Sequence, residues 1–448
     1  MEAGAWPGDR PMIVALYERI RDSLFLIPAA IIAGLGVASR FALALDQRIP
    51  PGTAGLLSTS VDSARSILST TATATITFAA IVFSMTAVVI QLATSQFSPR
   101  ITQGFLRDRY QQVTIGLTVG TFVYSLVVLA SVRGSGTVTD SHHDLSSTVA
   151  VVLGVASMLA IVFFIDRIMR SMRIDTIVAN LAHETEEAVR RLPHREPLGD
   201  ESLTPPDTAT TTSVTTSHSG WIRSIALKQM LGDLPDGTAV RLDVRVGEYI
   251  AAGELVAAVW PEVDEGSARA IDAAIEVDLT RTISSDPMHG FRQLIDVALR
   301  ALSPSINDPT TAADVVYHLT GPLRAVLLRE LPGQVVHLDR RRAYLPRSLT
   351  HSEYVHGAFR EIRINADNQP HVLHALIGTL ASLIDAVLDS GHDGRTDSLR
   401  AEARATLDVV RASTMPEADR RWLLDFAQDV GLVEAEPSQS SGSTGGTQ

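Results

Sequence analysis

Four long apolar stretches near the start of the chain constrain its fold more than any other feature. They lie at residues 24–45, 71–91, 113–132 and 146–165. Each is about as long as the roughly 20 helical residues that cross the apolar core of a bilayer. The last three contain no charged residue, and the first contains only Arg40, near one end, where a long side chain can reach the headgroups. The sequence therefore predicts a membrane domain of four transmembrane helices over residues 24–165.

The first stretch also has some features of a cleaved signal peptide. Arg19 and Arg21 precede it, and Ala42 and Ala44 resemble the small residues of a cleavage site. Its apolar region is longer than a signal peptide needs, and three further apolar stretches follow it. These two observations favour a retained helix.

Arginine placement predicts the orientation of the four helices, because short cytoplasmic loops are enriched in Arg and Lys. One side carries nine arginines in its short flanks: Arg10, Arg19, Arg21, Arg100, Arg107, Arg109, Arg167, Arg170 and Arg173. The opposite side carries three: Arg48, Arg65 and Arg133. This bias predicts that both termini lie in the cytoplasm.

Charge and cysteine content exclude several classes of function. The chain has 38 basic and 50 acidic residues, a formal net charge of −12, and the acidic excess lies after residue 198. An acidic soluble region argues against nucleic-acid binding, which needs clustered cations. The chain has no cysteine, which excludes disulfides, thiolate zinc sites, iron–sulfur clusters and cysteine nucleophiles.

Beyond the membrane domain the pattern predicts a cytoplasmic α+β region. The expected segments are an N-terminal cytoplasmic segment (1–23), an amphipathic helix continuing the fourth span (166–196), a Thr/Ser/Pro-rich linker (197–218), a small β module (219–266), a helical domain (267–434) and a disordered tail (435–448). The β module resembles half of a biotinyl/lipoyl-type sandwich. Lys228 lies upstream of any hairpin tip, which favours a structural or docking module over a swinging-arm carrier.

The second apolar stretch carries a polar stripe. At about 100° per residue, five polar side chains fall within roughly 40° of one another on a helix: Thr73, Thr77, Ser84, Gln91 and Ser95. The stripe could line a hydrated path, since hydroxyls and amides can replace part of an ion's water shell. The alternative is that it packs against another helix, because small polar residues allow close approach and are common at such contacts.

Two further motifs are candidates for packing or binding. Gly116 and Gly120 form a GxxxG pair, which predicts helix–helix contact. The turn containing Ser303, Asn307, Asp308 and Thr310 precedes a helix that begins at Pro309. Asp308 is expected to cap that helix, and a ligand or cation site at the same turn is the alternative.

Three segments make the chain resemble a known family. They are AIVFSMTAVVIQLATSQFSPR (80–100), VRVGEYIAAGELVAAVWP (244–261) and DPMHGFRQLIDVALRALSPSINDPTTA (286–312). The chain is similar here to the domain of unknown function 2254 family, and the similarity covers roughly residues 12–320. The resemblance implies an integral, multi-pass bacterial membrane protein with a cytoplasmic C-terminal region, and we expect it in the inner membrane.

These patterns favour an oligomeric channel or transporter with a cytoplasmic gating or sensing domain. The alternative is a membrane-anchored scaffold or signalling module that recruits a protein partner through the cytoplasmic domain. No GxSxG, HExxH or Walker sequence occurs, so no catalytic residue, metal or cofactor is predicted. The expected partners are the lipid bilayer and further copies of the chain, and no nucleic acid.

Overall fold

A computed structural model describes residues 26–48, 61–96, 109–133, 144–171, 173–193 and 211–433. Their contacts divide the chain into two compact units, one ending at Thr176 and the other beginning at Ile177. The predicted segments 1–23 and 435–448, most of the linker, and five of the nine arginines used for orientation lie outside the described residues.

The first unit consists of long helices that match the four predicted spans in position. They are α1 (Leu26–Asp46), α2 (Val61–Gln96), α3 (Arg109–Arg133) and α4 (Asp144–Ser171). The second helix begins ten residues before the predicted stretch. At 1.5 Å per residue its 36 residues extend about 54 Å, well beyond the roughly 30 Å of a bilayer core.

The helix α3 lies at the centre of this unit and contacts each of the other three helices. Its Tyr124 and Val128 are fully buried. A Cβ atom on Gly116 would lie 3.0 Å from Cα of Pro28, and one on Gly120 would lie 2.6 Å from Cδ1 of Leu35. The backbones of α1 and α3 therefore approach closely only because these two positions lack side chains.

The carboxylate of Asp46, the last residue of α1, binds the start of α4. Its oxygens accept hydrogen bonds from the backbone N–H groups of Leu145 (3.0 Å) and Ser146 (3.1 Å). The first N–H groups of a helix lack intrahelical partners and carry partial positive charge, so a carboxylate stabilises them. This contact joins the ends of α1 and α4.

Five helices in the described part of the chain are long and apolar enough to cross a membrane, one more than the sequence analysis predicts: Leu26–Asp46, Val61–Val89, Arg109–Val132, Asp144–Arg170 and Pro370–Asp389. The fifth was expected as a helix of the cytoplasmic domain. In the most apolar 18-residue stretch of this helix, 61% of the residues are buried within the fold, compared with 17–44% in the corresponding stretches of the other four helices.

The second unit begins with α5 (Ile174–Arg191), most of which belongs to it. The sequence predicted one continuous helix from the fourth span, whereas α4 ends at Ser171 and α5 starts at Ile174. The buried face of α5, which includes Val178 and Val189, packs within the second unit. A Cβ atom on Gly290 would collide with the Thr185 side chain, so α5 lies directly against the helix that contains Gly290.

The rest of the second unit combines two sheets with a helical part. Its strands are β1 (Thr212–Thr215), β2 (Gly220–Ile225), β3 (Ala239–Leu242), β4 (Tyr249–Ile250), β5 (Leu255–Trp260), β6 (Ile275–Asp278), β7 (Val335–Leu338) and β8 (Arg341–Tyr344). Its helices are α6 (Leu227–Gly232), α7 (Glu265–Ala273), α8 (Pro287–Ala301), α9 (Pro309–His318), α10 (Thr320–Leu327), α11 (His351–Asn365), α12 (Pro370–Asp389), α13 (Thr396–Ala412) and α14 (Glu417–Asp429), with a 3₁₀ turn at Asp393–Arg395.

The sheets draw on more of the chain than the predicted module 219–266. One sheet has the order β1-β5-β3-β8-β7 and the other β4-β2-β6. The strand β1 lies in the stretch predicted as linker, where Val214 is buried against the antiparallel partner β5. The strand β6 comes from the region predicted as helical. The strands β7 and β8 match a short strand pair that the sequence predicts within that region, at 334–338 and 342–345, and β8 runs parallel to β3.

Bulky substitution at Gly120 tests the α1–α3 contact. We expect Gly120→Leu to destabilise the membrane unit by about 1–3 kcal/mol, because the side chain must displace Leu35 of α1. Gly34→Leu is the matched control, since nothing lies within 4 Å of a Cβ atom there. Thermal unfolding of both variants in detergent measures the difference, and equal midpoints would contradict the close contact.

Gly290→Ala tests the packing of α5 in the second unit. The added methyl group overlaps the Thr185 side chain, so we expect a loss of about 1–3 kcal/mol in stability. Gly232→Ala, in the open end of α6, has free space and should cost nothing. Denaturant unfolding followed by circular dichroism compares them, and an unchanged Gly290→Ala midpoint would show that α5 does not dock on α8.

Candidate functional site

The predicted stripe of α2 faces outward from the first unit. Thr73, Thr77, Ser84 and Gln91 are all exposed, and the side chain of Ser95 is not among those described. The hydroxyl of Thr73 donates to the Ser69 carbonyl at 2.9 Å, and that of Thr77 donates to the Thr73 carbonyl at 2.8 Å. These two hydroxyls are therefore satisfied by their own helix.

The structure extends this stripe over most of α2. Small or polar exposed residues continue it at the same angular position on the helix: Asp62, Ser66, Ser69, Ala80 and Ala87. Large exposed apolar side chains flank it on both sides: Ile76, Ile81, Phe83 and Val88. We call the set Asp62, Ser66, Ser69, Thr73, Thr77, Ala80, Ser84, Ala87 and Gln91 the outer stripe. From Asp62 to Gln91 it runs about 44 Å at 1.5 Å per residue.

A second polar row lies inside the first unit and was missed from the sequence. It follows α3 through the buried residues Thr114, Thr118, Thr121 and Ser125. The hydroxyls of Thr121 and Ser157 lie 3.1 Å apart, and Gln111 Nε2 donates to Thr86 Oγ1 at 3.3 Å. The spacing i, i+4, i+7, i+11 in the third apolar stretch is the signal that could have revealed it.

We call Thr114, Thr118, Thr121 and Ser125 the inner row, and three of its four hydroxyls form hydrogen bonds within the chain. The hydroxyls of Thr114, Thr118 and Thr121 donate to carbonyls four residues earlier at 2.7–2.8 Å. The Ser125 hydroxyl is buried without a hydrogen-bond partner among the described residues. The inner row therefore acts mainly in packing α3 against its neighbours, and the outer stripe is the polar surface that the single chain leaves uncovered on α2.

The turn at Ser303–Thr310 is organised around the start of α9. Asp308 Oδ1 accepts from the Thr311 backbone N–H at 3.1 Å, and its Oδ2 accepts from the Thr311 hydroxyl at 2.6 Å. Asn307 adopts a left-handed φ of 49° and accepts from Gln369 Nε2 at 3.2 Å. The Ser303 hydroxyl donates to the Arg300 carbonyl at 2.7 Å, and Thr310 is exposed. These contacts account for the motif by capping and turn geometry.

A cavity of about 340 Å³ lies within the second unit, and sequence reasoning did not find it. It is bounded by β2, the segment after β3, the start of α8, and the segments before and after β7 and β8. Most of its wall is apolar and includes Leu227, Val244, Met288, Leu331 and Leu345. We call this space the inter-sheet cavity.

One wall of the inter-sheet cavity carries ionised groups that are already paired. Arg281 binds the buried carboxylate of Asp286, with Nε 3.1 Å from Oδ2, and its guanidinium lies 5.1 Å from the Trp221 ring centre. Arg245 Nε lies 2.7 Å from Glu248 Oε1. Two positive and two negative side chains thus line the cavity in neighbouring pairs.

Asp286 lies at the N-cap position of α8 but does not cap this helix. It precedes Pro287 at the N-cap position of α8, but its side chain makes no capping hydrogen bond and turns to Arg281 instead. A Cβ atom on Gly247, whose φ is 87°, would collide with the Asp286 carboxylate. Glycine at 247 therefore lets the β module approach this ion pair.

Tyr354 is a further polar group of the cavity wall, which also includes Ser224, Ser285 and Ser348. Only 6% of it is exposed, and its hydroxyl forms no hydrogen bond within the described part of the chain. Burial, and then the Asp286 carboxylate, raise the pKa of the phenol, while Arg329 and Arg245 oppose this shift. The phenol therefore remains a protonated donor at neutral pH.

No group of three or more His, Asp or Glu residues that could hold a metal ion occurs within the described ranges.

The sequence matches a family whose members are described as predicted membrane proteins (DUF2254), over residues 21–382. The match extends past the segment 12–320 that showed the resemblance and includes β7, β8 and α11.

Relatives in mycobacteria match nearly the whole chain. A protein of Mycobacterium bovis and one of Mycobacterium tuberculosis are each 28% identical over 453 residues, covering 94% of this chain and 83% of the relative. Both bear names that describe them only as uncharacterized. No solved structure matches the chain. Because the family match covers more than half of its length and includes all four N-terminal apolar helices, this chain belongs to the DUF2254 family of predicted membrane proteins.

Proposed function

We propose that this protein is a homo-oligomeric channel or transporter of the bacterial inner membrane, in which the outer stripes of several copies face a common axis. The observation that carries the proposal is the exposure of Thr73, Thr77, Ser84 and Gln91 on one face of α2. Polar residues on an apolar helix usually face the interior of a bundle or a water-filled space.

The amide of Gln91 gives this argument its energetic basis. It is exposed and forms no hydrogen bond within the described residues. Gln91 lies two residues beyond the end of the apolar span at Val89. An unsatisfied polar group in contact with hydrocarbon costs several kcal/mol, so water or a second copy would supply the partners of this amide. Four helices per chain enclose little space by themselves, which favours a path between copies.

In the proposed membrane arrangement, α1 to α4 span the bilayer and α12 lies outside it. The helix α12 is placed outside because it is buried among the other helices of the second unit, where Leu376 and Leu380 are fully buried. The start of α3 and the end of α4 lie at the same end of the first unit, since the Arg167 guanidinium lies 4.3 Å from the Tyr110 ring centre. With the arginine bias, this supports cytoplasmic termini.

A specific observation also favours the scaffold alternative. The hydroxyls of Thr73 and Thr77 already bond to carbonyls of their own helix, as they would in a dry contact between helices. In that case the outer stripe holds copies together without water, and the second unit recruits a protein partner.

Flux measurements on reconstituted protein distinguish the two proposals. We expect vesicles containing the purified protein to pass at least one of K⁺, Na⁺ and Cl⁻, and the double variant Ser84→Leu, Gln91→Leu to reduce that flux at least tenfold by making the stripe apolar. Val88→Leu, on the exposed apolar flank, should leave the flux unchanged.

Subunit counting by native mass spectrometry accompanies the flux assay. A symmetric oligomer with flux that disappears in the double variant supports the channel. An oligomer that passes none of the three ions supports the scaffold, and flux that survives in the double variant would contradict a path along α2.

A further inference from the structure

We propose that the inter-sheet cavity is a binding site for a small organic acid, a molecule with one carboxylate and a compact apolar body. The cavity, the unpartnered Tyr354 hydroxyl and the start of α8 meet on one wall of the second unit. The proposal does not depend on channel activity, because every residue that lines the cavity lies at or beyond Leu192, in the second unit.

Size and lining match a small-molecule site. Such sites are concave, usually about 300–1,000 Å³, and mostly apolar with a few polar groups that orient the ligand. The inter-sheet cavity of about 340 Å³ has apolar walls from several separate segments, including Leu192, Val246, Met288 and Leu349. The walls therefore accommodate an apolar body of roughly a dozen heavy atoms.

Tyr354 supplies a hydrogen-bond donor that the protein itself does not use. Its ring packs against Phe291 at 5.7 Å between centres, which fixes the phenol in place. Because this hydroxyl lines the cavity and forms no hydrogen bond within the described residues, a ligand acceptor in the cavity can bind it. The site therefore selects a ligand with an acceptor next to Tyr354.

The fixed charges around this hydroxyl favour an anionic acceptor. The carboxylates of Asp286 and Glu248 are each neutralised by a neighbouring arginine. The start of α8 adds partial positive charge, and its N-cap side chain is turned away from the first turn. Pro287 and Met288, the first two residues of α8, line the cavity. A carboxylate placed there meets the phenol and the helix end together.

Three probes with the same apolar body and different polar heads test this ligand class. They are 4-phenylbutyrate, 4-phenylbutanol and 4-phenylbutylamine, titrated by calorimetry into the full chain in lipid nanodiscs, with empty nanodiscs as the blank. We expect one saturable site per chain for 4-phenylbutyrate, with at least fivefold weaker binding of the alcohol and the amine.

Two variants and one matched control assign the site. Tyr354→Phe removes only the hydroxyl and should weaken 4-phenylbutyrate at least fivefold, whereas Tyr344→Phe, equally buried at 6% exposure but outside the cavity, should not. Leu331→Trp fills the cavity and should abolish binding while the unfolding midpoint stays within a few degrees. Saturable binding that is unaffected by Leu331→Trp would overturn the location, tighter binding of the amine would overturn the carboxylate, and no saturable binding of any probe would overturn the site.

Discussion

A polar side chain that faces hydrocarbon needs a hydrogen-bond partner, and this requirement governs how the helix α2 can sit in a membrane. The buried side of α2 is made of small and apolar residues such as Ala72, Ala79 and Val82, which pack within the single chain. The opposite side carries the outer stripe, which the single chain leaves exposed. This exposed polar face is why we propose that a second copy of the chain or water covers the outer stripe in the membrane.

Several other polar groups of the first unit form hydrogen bonds within the chain. Asp46 binds the start of α4, and the buried threonine hydroxyls of α3 bond to their own helix or to Ser157. Gly116 and Gly120 bring α1 close to α3. Within the described residues of this unit, Gln112 Oε1, Ser125 Oγ and Ser147 Oγ are buried without a hydrogen-bond partner, whereas the outer stripe of α2 lies on the surface.

The second unit assembles a cavity from segments far apart in the sequence. Arg245, Asp286, Leu331 and Tyr354 converge because β8 from the helical part pairs with β3 of the β module. The close approach of Gly247 to Asp286 fixes the Asp286–Arg281 pair at the edge of this space. A site of this kind depends on strand pairing rather than on any local motif.

Sequence reasoning succeeded where the physical signal is local. The apolar helices, the pair β7–β8 and the helix start at Pro309 follow from continuous apolar runs, alternation and the position of a proline. It failed where distant pairing decides the structure. The strand β1 has only Val214 as a buried apolar residue, and it forms because it pairs with β5. Asp286 lies at the N-cap position of α8 but does not cap the helix, because its carboxylate binds Arg281 instead. Tyr354 carries no sequence signal for its place in a cavity wall.

Water access along α2 is the most direct test of the central claim. The chain has no cysteine, so single-cysteine variants need no altered background. In intact membranes, we expect a charged methanethiosulfonate reagent to label cysteines at positions 73, 77, 84 and 91 at least tenfold faster than cysteines at positions 76, 83 and 88, which are exposed on the apolar flanks. Equal rates at the two sets of positions would contradict a hydrated outer stripe.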